Sequence, residues 1–313
     1  MCEENQTQVT QIFILGFQNV NKSLLFIVFL LTYLFIIVGN LLIILLVTII
    51  DQLQTPMYFF LKHLSIADVL LTNIIVPMTM DLIFAEKSVL PLWVCKAQLY
   101  LYGIFGLVQC FLIALMSYDR FLAICLPLRY SSLMRPDHSL YLVIGLWVLS
   151  SVLTSCEFFF VIHLNLCGLN SIDHFYCDFG PVVNLATSDT SILMLEDFVI
   201  SIFTFFFPIA FIIMTYICIF FTILKISSNI GKRKAFSTCS SHLITVCMYY
   251  GSLMTIYLAP SDENSSHINK YISLLYLVGT PLLNPIIYSL RNYEIKRAVQ
   301  KMISHILHNW LKT

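Results

Sequence analysis

The most constraining feature of this sequence is a series of long segments with neither a charged residue nor a histidine. They are residues 23–50, 97–118, 198–224, 243–261 and 271–290. A helix that crosses the hydrocarbon core of a membrane needs about 20 apolar residues, because only its own hydrogen-bond ladder satisfies the backbone polar groups there. Residues 64–80, interrupted only by Asp68, and residues 139–156, which precede Glu157, are nearly as apolar. Together these segments predict seven membrane spans.

The composition excludes a water-soluble protein of this length. Hydrophobic residues make up 59% of the 313 residues and charged residues 11%, whereas soluble proteins carry roughly 25% charged residues. The aromatic share of 14% excludes intrinsic disorder. The formal net charge is zero, from 17 Lys and Arg against 17 Asp and Glu. The total charge therefore gives no reason to expect a nucleic-acid partner.

The predicted fold class is an all-α membrane protein, a seven-transmembrane helix bundle that forms a single domain over residues 1–313. The N-terminus is predicted to be extracellular and the C-terminus cytoplasmic, with a short amphipathic helix after span seven. No linker, low-complexity tract or internal repeat divides the chain. The spans are predicted at about 23–50, 58–81, 96–122, 139–161, 196–225, 236–260 and 270–290, with extracellular loop two at about 162–195 and a cytoplasmic tail at 291–313.

The distribution of Lys and Arg determines the predicted orientation. With the N-terminus outside, only Lys22, Lys87, Lys96 and Lys270 face the outside. Asn5 lies outside in an Asn-Gln-Thr sequon and is the predicted glycosylation acceptor. The basic residues that face the inside are Lys62, Arg120, Arg129, Arg135, Lys225, Lys232, Arg233, Lys234, Arg291, Lys296, Arg297, Lys301 and Lys312.

Three unusual polar features lie toward the inner half of the predicted spans. Asp119 and Arg120 lie at the inner end of span three, where a snorkelling anchor is the ordinary alternative. Pro285 breaks the backbone ladder of span seven beside Asn284, whose amide supplies replacement hydrogen bonds. Asp68 is an ionisable group inside the bilayer, where acids are functional by default and a structural polar network is the alternative.

Four longer motifs run through most of the chain. They are residues 55–61 (Thr-Pro-Met-Tyr-Phe-Phe-Leu), 116–125 (Met-Ser-Tyr-Asp-Arg-Phe-Leu-Ala-Ile-Cys), 234–243 (Lys-Ala-Phe-Ser-Thr-Cys-Ser-Ser-His-Leu) and 281–292 (Pro-Leu-Leu-Asn-Pro-Ile-Ile-Tyr-Ser-Leu-Arg-Asn). By these motifs and their order, the chain resembles a rhodopsin-like (class A) G-protein-coupled receptor, and within that class a vertebrate odorant receptor. The third motif favours the class II, tetrapod-type branch over the fish-like class I branch.

The resemblance implies an odorant receptor and no enzymatic activity. Such a receptor binds small volatile, mostly apolar ligands within the bundle and activates a stimulatory (olfactory-type) heterotrimeric G protein to raise cAMP. The resemblance also implies a multi-pass plasma-membrane protein in the cilia of olfactory sensory neurons, with the lipid bilayer and accessory trafficking proteins as further partners. It implies no cofactor and no metal site.

The resemblance also assigns roles at the inner end of the bundle. Arg120 is expected to face the cavity where the G protein docks, held inactive by Asp119. Asn40, Asp68 and Asn284 are expected to form a polar core. A basic cluster before span six is expected to contact the G protein, with a positive-inside anchor as the alternative. The residues assigned to activation and coupling are Asp119, Arg120, Tyr216, Lys232, Arg233, Lys234, Asn284, Pro285 and Tyr288.

The family's ligand pocket lies between spans three, five, six and seven, under the long outer loop. Tyr102 stands where amine-neurotransmitter receptors carry an Asp, which argues against a biogenic amine bound in that manner. Glu157 either contacts a ligand or pairs with His163 or a loop donor. Tight helix packing is the alternative role, above all for Gly103 and Gly106. Helical spacing from the motifs gives the expected lining as Tyr102, Gly103, Gly106, Leu107, Cys110, Ile200, Ser201, Thr204, Tyr250, Leu253, Met254, Tyr257, Leu274 and Leu277, and Glu157 of span four is a further candidate.

The family has a disulfide between the positions of Cys95 and Cys177, and both face an oxidising compartment. Cys167 is predicted to be a free thiol, because Thr187 stands near the position of the cysteine that the family commonly provides there. Gln109 replaces the family's usual Glu near Asp68, which argues against a bound sodium ion. Phe121 likewise replaces the family's usual Tyr. The cysteines expected to be free packing residues are Cys110, Cys125, Cys156, Cys218, Cys239 and Cys247.

Two other function classes have less support in the sequence. Transporters tend to show paired repeats with broken helices in both halves, and this chain shows none. An enzyme is disfavoured because neither a His-Glu-x-x-His nor a Gly-x-Ser-x-Gly motif occurs.

Overall fold

The structure is a computed structural model that is mostly helical. It describes residues 9–17, 21–85, 87–168, 170–258, 270, 272–291, 295–297 and 299–300. In chain order the helices are α1 (Lys22–Ile49), α2 (Pro56–Phe84), α3 (Leu92–Cys125), α4 (Pro127–Leu133), α5 (Pro136–Ile162), α6 (Phe179–Val183), α7 (Ser191–Ser201), α8 (Phe207–Lys225), α9 (Asn229–Leu258) and α10 (Thr280–Arg291). A 3₁₀ turn, Asp51–Leu53, precedes α2, and π-helical turns occupy Ile202–Phe206 and Leu275–Gly279.

The long helices follow the predicted spans. Spans one to four are α1, α2, α3 and α5, span five is α7 continued through a π turn into α8, and span six is α9. Span seven comprises the described residues 270 and 272–291. Within the described residues, five helices are long and apolar enough to cross a membrane, namely spans one to five, and Ile272–Tyr288 is a shorter apolar helix. In the segment after span seven, where the amphipathic helix is predicted, residues 295–297 and 299–300 are helical.

Helix starts and ends follow local chemistry. Asn21 caps α1, because its side-chain oxygen accepts from the Leu24 N–H at 3.1 Å. Proline opens three helices, at Pro56, Pro127 and Pro136, where its missing N–H is not needed. Pro127 and Pro136 separate the end of span three from span four and create the short inner helix α4, which the sequence analysis did not predict.

A small sheet covers part of the outer end of the bundle. Its strand order is β2-β1-β3, with β1 at Gln11–Ile14, β2 at Ser88–Pro91 and β3 at Ser171–Ile172. The central strand pairs antiparallel with β2 of the first outer loop and parallel with β3 of loop two. Ile12 and Ile14 on this strand are 0% exposed. Residues 9–17, called the N-terminal strap below, are therefore part of the packed structure.

The outer cysteines confirm one prediction and contradict another. Cys95 and Cys177 form a disulfide with a Cα–Cα distance of 5.4 Å, as expected. Cys167 is also disulfide-bonded, so the prediction of a free thiol is wrong. Its partner lies outside the described residues. No signal in the sequence indicates that the N-terminal segment lies against loop two, where the Val9 N–H donates to the Leu166 carbonyl at 2.9 Å.

Spans one and seven approach each other closely at one glycine. A Cβ added to Gly39 would lie 2.8 Å from the Cβ of Pro285, closer than real Cβ atoms come. Pro285 is inside α10. The absence of a side chain at Gly39 therefore lets span one pack against the helix at its proline.

We expect Gly39→Ala to lower the thermal unfolding temperature of the purified protein. The added methyl group overpacks this contact, which typically costs about 1–3 kcal/mol. Gly145→Ala is the matched control, because an added Cβ at Gly145 in α5 has nothing within 4 Å. Equal unfolding temperatures for the two variants would show that the contact with Pro285 is unimportant.

Candidate functional site

Three predicted lining residues meet at one point in the outer half of the bundle. The Cys110 thiol of span three donates to the Thr204 carbonyl of span five at 2.8 Å. The same sulfur lies 3.1 Å from the Tyr250 hydroxyl of span six. A proline explains why the Thr204 carbonyl is available to accept from a side chain. Pro208 lacks the N–H that a helix would direct at the carbonyl four residues earlier, which is that of Thr204. The thiol supplies the missing donor.

A layer of tyrosines lies beside this contact. The Tyr249 hydroxyl donates to the Gly106 carbonyl at 2.8 Å and accepts from the Tyr276 hydroxyl at 3.4 Å. The Tyr249 ring lies 5.2 Å from the ring of Tyr250 and 5.4 Å from that of Tyr276. This layer connects spans three, six and seven. The sequence analysis did not identify Tyr249 or Tyr276, although the pair of consecutive tyrosines in span six was a visible signal.

Loop two supplies the outer wall of the site. Tyr176 is 1% exposed, and its ring lies 5.5 Å from that of Tyr102 in span three. Besides the disulfide, a hydrogen bond holds this segment down, because the Cys177 N–H donates to the Gln98 side chain at 2.9 Å. Tyr176 was not among the predicted lining residues, and the sequence offered no signal for it because the loop has no helical spacing.

The remaining predicted lining residues occupy varied positions. Leu277 is buried, and Leu253 and Leu274 pack against the core. Gly103 faces span four, since an added Cβ would lie 2.8 Å from a Thr154 methyl group, which favours its packing role. Met254 is 39% exposed. The half-buried residues are Leu107, Ile200 and Ser201. The side chain of Tyr257 lies outside those described, as does all of Asn5.

Glu157 does not pair with His163. The His163 Nδ1 lies 2.6 Å from the Phe159 carbonyl of its own helix and its ring packs on the Phe159 ring. The charged groups near the half-buried Glu157 are Asp197 and Glu196, both acids. The structure therefore excludes the pairing of Glu157 with His163, and the alternative that Glu157 contacts a ligand stays open.

At the inner end, a carboxylate holds the arginine of the predicted coupling site. Arg120 donates to the same Asp119 oxygen through Nη2 at 2.6 Å and Nε at 3.1 Å. The Tyr130 hydroxyl of α4 donates to the other Asp119 oxygen at 2.8 Å. Asp119 is fully buried and Arg120 is 14% exposed. Tyr130 was not predicted, because no feature of the sequence indicates that α4 packs back against span three.

A histidine joins three spans near this arginine. His242 Nε2 lies 3.1 Å from the Ile113 carbonyl, which can only accept, so this nitrogen carries the proton. His242 Nδ1 therefore accepts from the Tyr216 hydroxyl at 2.6 Å. The Tyr216 and His242 rings stack with an interplanar angle of 9°. Tyr216 was predicted for this region, whereas His242 was visible only as part of the span-six motif.

The predicted polar core is joined by amide groups. Asp68 accepts from the Gln109 amide on one oxygen and from the Asn284 amide on the other, each at 2.8 Å. Asn40 donates instead to the Pro281 carbonyl at 3.1 Å. Spans two, three and seven therefore meet at one fully buried carboxylate, and Gln109 takes part in this contact.

The other predicted coupling residues lie at or near the inner end. Tyr288 is fully buried and Pro285 lies beside Gly39. Lys232 is half-buried and Arg233 is exposed at the start of α9. The side chain of Lys234 lies outside those described.

Comparisons with known proteins agree over most of the chain. A family model described as "Olfactory receptor" matches residues 29–306. Human olfactory receptor 10A7 is 42% identical over 308 residues, 97% of each chain. Human olfactory receptor 5G3 is 43% identical over 305 residues, again 97% of each chain. The crystal structure of squid rhodopsin superimposes with a TM-score of 0.74 at 19% identity, over 93% of this chain and 88% of rhodopsin. The fold predicted from the sequence is confirmed by this match.

The buried His174 in loop two predicts a pH dependence of the outer wall. His174 is 4% exposed, and burial lowers its pKa from the usual 6.5, with Lys270 lowering it further and Asp178 and Asp173 opposing. The unfolded chain therefore binds a proton more readily than the folded one, so stability falls as the pH drops below about 6.5.

We expect the unfolding temperature of the purified receptor to fall between pH 7.5 and 5.5, and His174→Phe to reduce that fall. The phenylalanine keeps a ring at this position and removes the titrating group. If wild type and variant lose equal stability over this range, His174 is not the group responsible.

Proposed function

The chain belongs to the olfactory receptor family, and we propose that it binds small, mostly apolar odorants between spans three, five, six and seven and activates a stimulatory G protein that raises cAMP. The observation that carries this proposal is the meeting of Cys110, Thr204 and Tyr250 from three different spans. A site with apolar walls and a few convergent polar groups suits a small ligand that makes one or two hydrogen bonds.

One helix connects the proposed ligand site with the proposed coupling site. Tyr250 and His242 both lie on α9, eight residues apart, which is about 12 Å along a helix. A ligand that changes the contacts of Tyr250 therefore acts on the same rigid element that carries His242. Ligand binding would favour the helix position in which the Tyr216–His242–Ile113 contact is rearranged, and the populations would shift accordingly.

The inner end supports docking of a G protein. Arg120 is held by Asp119 beside α4, whose Leu128 is 96% exposed. Arg233 at the start of α9 is also exposed, so the inner end presents both apolar and positive side chains. Because Tyr130 joins α4 to Asp119, a partner that binds α4 also acts on the residue that holds Arg120.

The remaining proposals concern location and partners. We propose that the receptor acts at the plasma membrane of olfactory cilia and that accessory proteins assist its transport there. The apolar helices and the olfactory relatives support a multi-pass membrane protein.

We expect expressed receptor to raise cAMP in response to at least one member of a chemically diverse odorant panel. Arg120→Ala should lower that response more than about tenfold, because it removes the charged group that the G protein would engage. Arg135→Ala is the matched control, since Arg135 is 62% exposed and lies 3.9 Å from Asp137 in a surface pair. A full response in Arg120→Ala, or odorant-driven current without G protein, would contradict the mechanism.

We expect Tyr130→Phe to raise ligand-independent cAMP several-fold at equal surface expression. The substitution removes one hydrogen bond to Asp119, and a hydrogen bond to a charged group contributes about 1.5–3 kcal/mol. Tyr141→Phe is the matched control, because Tyr141 is 69% exposed on span four. An unchanged basal signal in Tyr130→Phe would mean that Tyr130 does not restrain Asp119.

A further inference from the structure

Lys270, at the start of span seven, joins three segments that are far apart in the sequence. Its ammonium group donates to the Asp173 carboxylate of loop two at 2.7 Å and to the Gly16 carbonyl of the N-terminal strap. It also lies 5.8 Å from the centre of the Phe17 ring. Although it is a lysine, its side chain is only 5% exposed. Lysine is almost never this buried unless it is paired, so these contacts are strongly constrained.

The strap that Lys270 holds is packed on the bundle. Gly16 adopts a positive φ of 60° and lies against Leu82 of span two. Phe17 stacks on Phe175 of loop two with a ring separation of 5.7 Å. The strap and loop two are therefore one layer, and Lys270 is bonded to both of its parts.

This layer continues to the outer wall of the proposed odorant site. Asp173 is followed after two residues by Tyr176, which packs on Tyr102. The Tyr176 side chain also lies near Ser273, which is three residues after Lys270 in span seven. Tyr176 and Ser273 are 1% and 3% exposed. One end of the Asp173–Tyr176 segment is thus held by Lys270 and the other end covers the site.

We propose that Lys270 is a positioning residue of the odorant site, which acts through Asp173 and Gly16 to hold Tyr176 over its outer end and whose release admits ligand from the outside. This inference rests on the proposed function, because it takes the space below Tyr176 to be the odorant site. The Lys270–Asp173 ion pair suits such a closure, because Lys270 is 5% exposed whereas Asp173 is 35% exposed, so the pair lies at the boundary between the packed layer and solvent.

The first test measures access to the site without any odorant. Ser273→Cys places a thiol beneath Tyr176, and a charged, membrane-impermeant methanethiosulfonate added outside intact cells reports its exposure. We expect Lys270→Met and Asp173→Asn each to increase the labelling rate at least about tenfold at equal surface expression, since each breaks the ion pair between Lys270 and Asp173. The same variants without Ser273→Cys provide the background from Cys110 and the other free cysteines.

Two controls separate positioning from general damage to the layer. Lys87→Met removes another lysine that contacts the strap, because Lys87 lies 5.2 Å from the Phe13 ring but is exposed. We expect Lys87→Met to label as slowly as the protein that carries Ser273→Cys alone. Lys270→Arg should restore slow labelling, and Lys270→Met with Asp173→Asn should label no faster than Lys270→Met alone. Wild-type labelling rates in both Lys270→Met and Asp173→Asn, or equal acceleration by Lys87→Met, would overturn the proposal.

The second test uses an odorant that is active in the cAMP panel. Lys270→Met should speed both the onset and the wash-out of the response several-fold while the maximal response at saturation is retained. An unchanged onset and wash-out in a variant that labels quickly would mean that Lys270 holds the layer but does not control ligand exchange. If no odorant is active, the labelling result still stands, so failure of the proposed function is distinguishable from failure of this inference.

Discussion

The hydrocarbon core of the membrane offers no hydrogen-bond partners, and most of this structure depends on that constraint. It forces the backbone into helices, which leaves side chains as the means of joining one helix to the next. The few polar side chains in the core therefore meet across helices. Asp68 accepts one amide from Gln109 and one from Asn284, and His242 links Tyr216 to the Ile113 carbonyl. Each such contact constrains the rotation of two or three helices at once.

The same constraint explains why the proposed site lies where the helical ladder is interrupted. Pro208 removes a donor and leaves the Thr204 carbonyl without its helical partner. A free carbonyl in an apolar environment is costly, so the Cys110 thiol bonds to it and brings span three against span five. Thr204 lies in a π turn at Ile202–Phe206, and such turns occur frequently at functional sites. The irregularity thus contributes directly to the shape of the site.

Some of the site was predictable because its residues are chemically unusual where they stand. Asp68, Asp119 and Arg120 are charged groups at or inside apolar segments, and the structure shows each of them hydrogen-bonded in the inner half of the bundle. Tyr130 was not predictable, because its contact depends on how α4 turns after Pro127. Contacts between distant segments that no family motif indicates could not be predicted either. Cys167 was wrongly predicted to be free because nothing placed the N-terminal strap beside loop two.

The sequence alone determined that the chain is a seven-helix membrane protein with its basic side inward. Hydropathy and the distribution of Lys and Arg determine which segments insert into the bilayer and in which orientation. This does not depend on how the segments later pack against one another. The tertiary structure decided which polar groups meet beyond those that the family motifs indicate. A hydrogen bond requires atoms to align within about 3 Å, and the rotation that aligns Lys270 with a carbonyl 254 residues away is set by every helix packed between them.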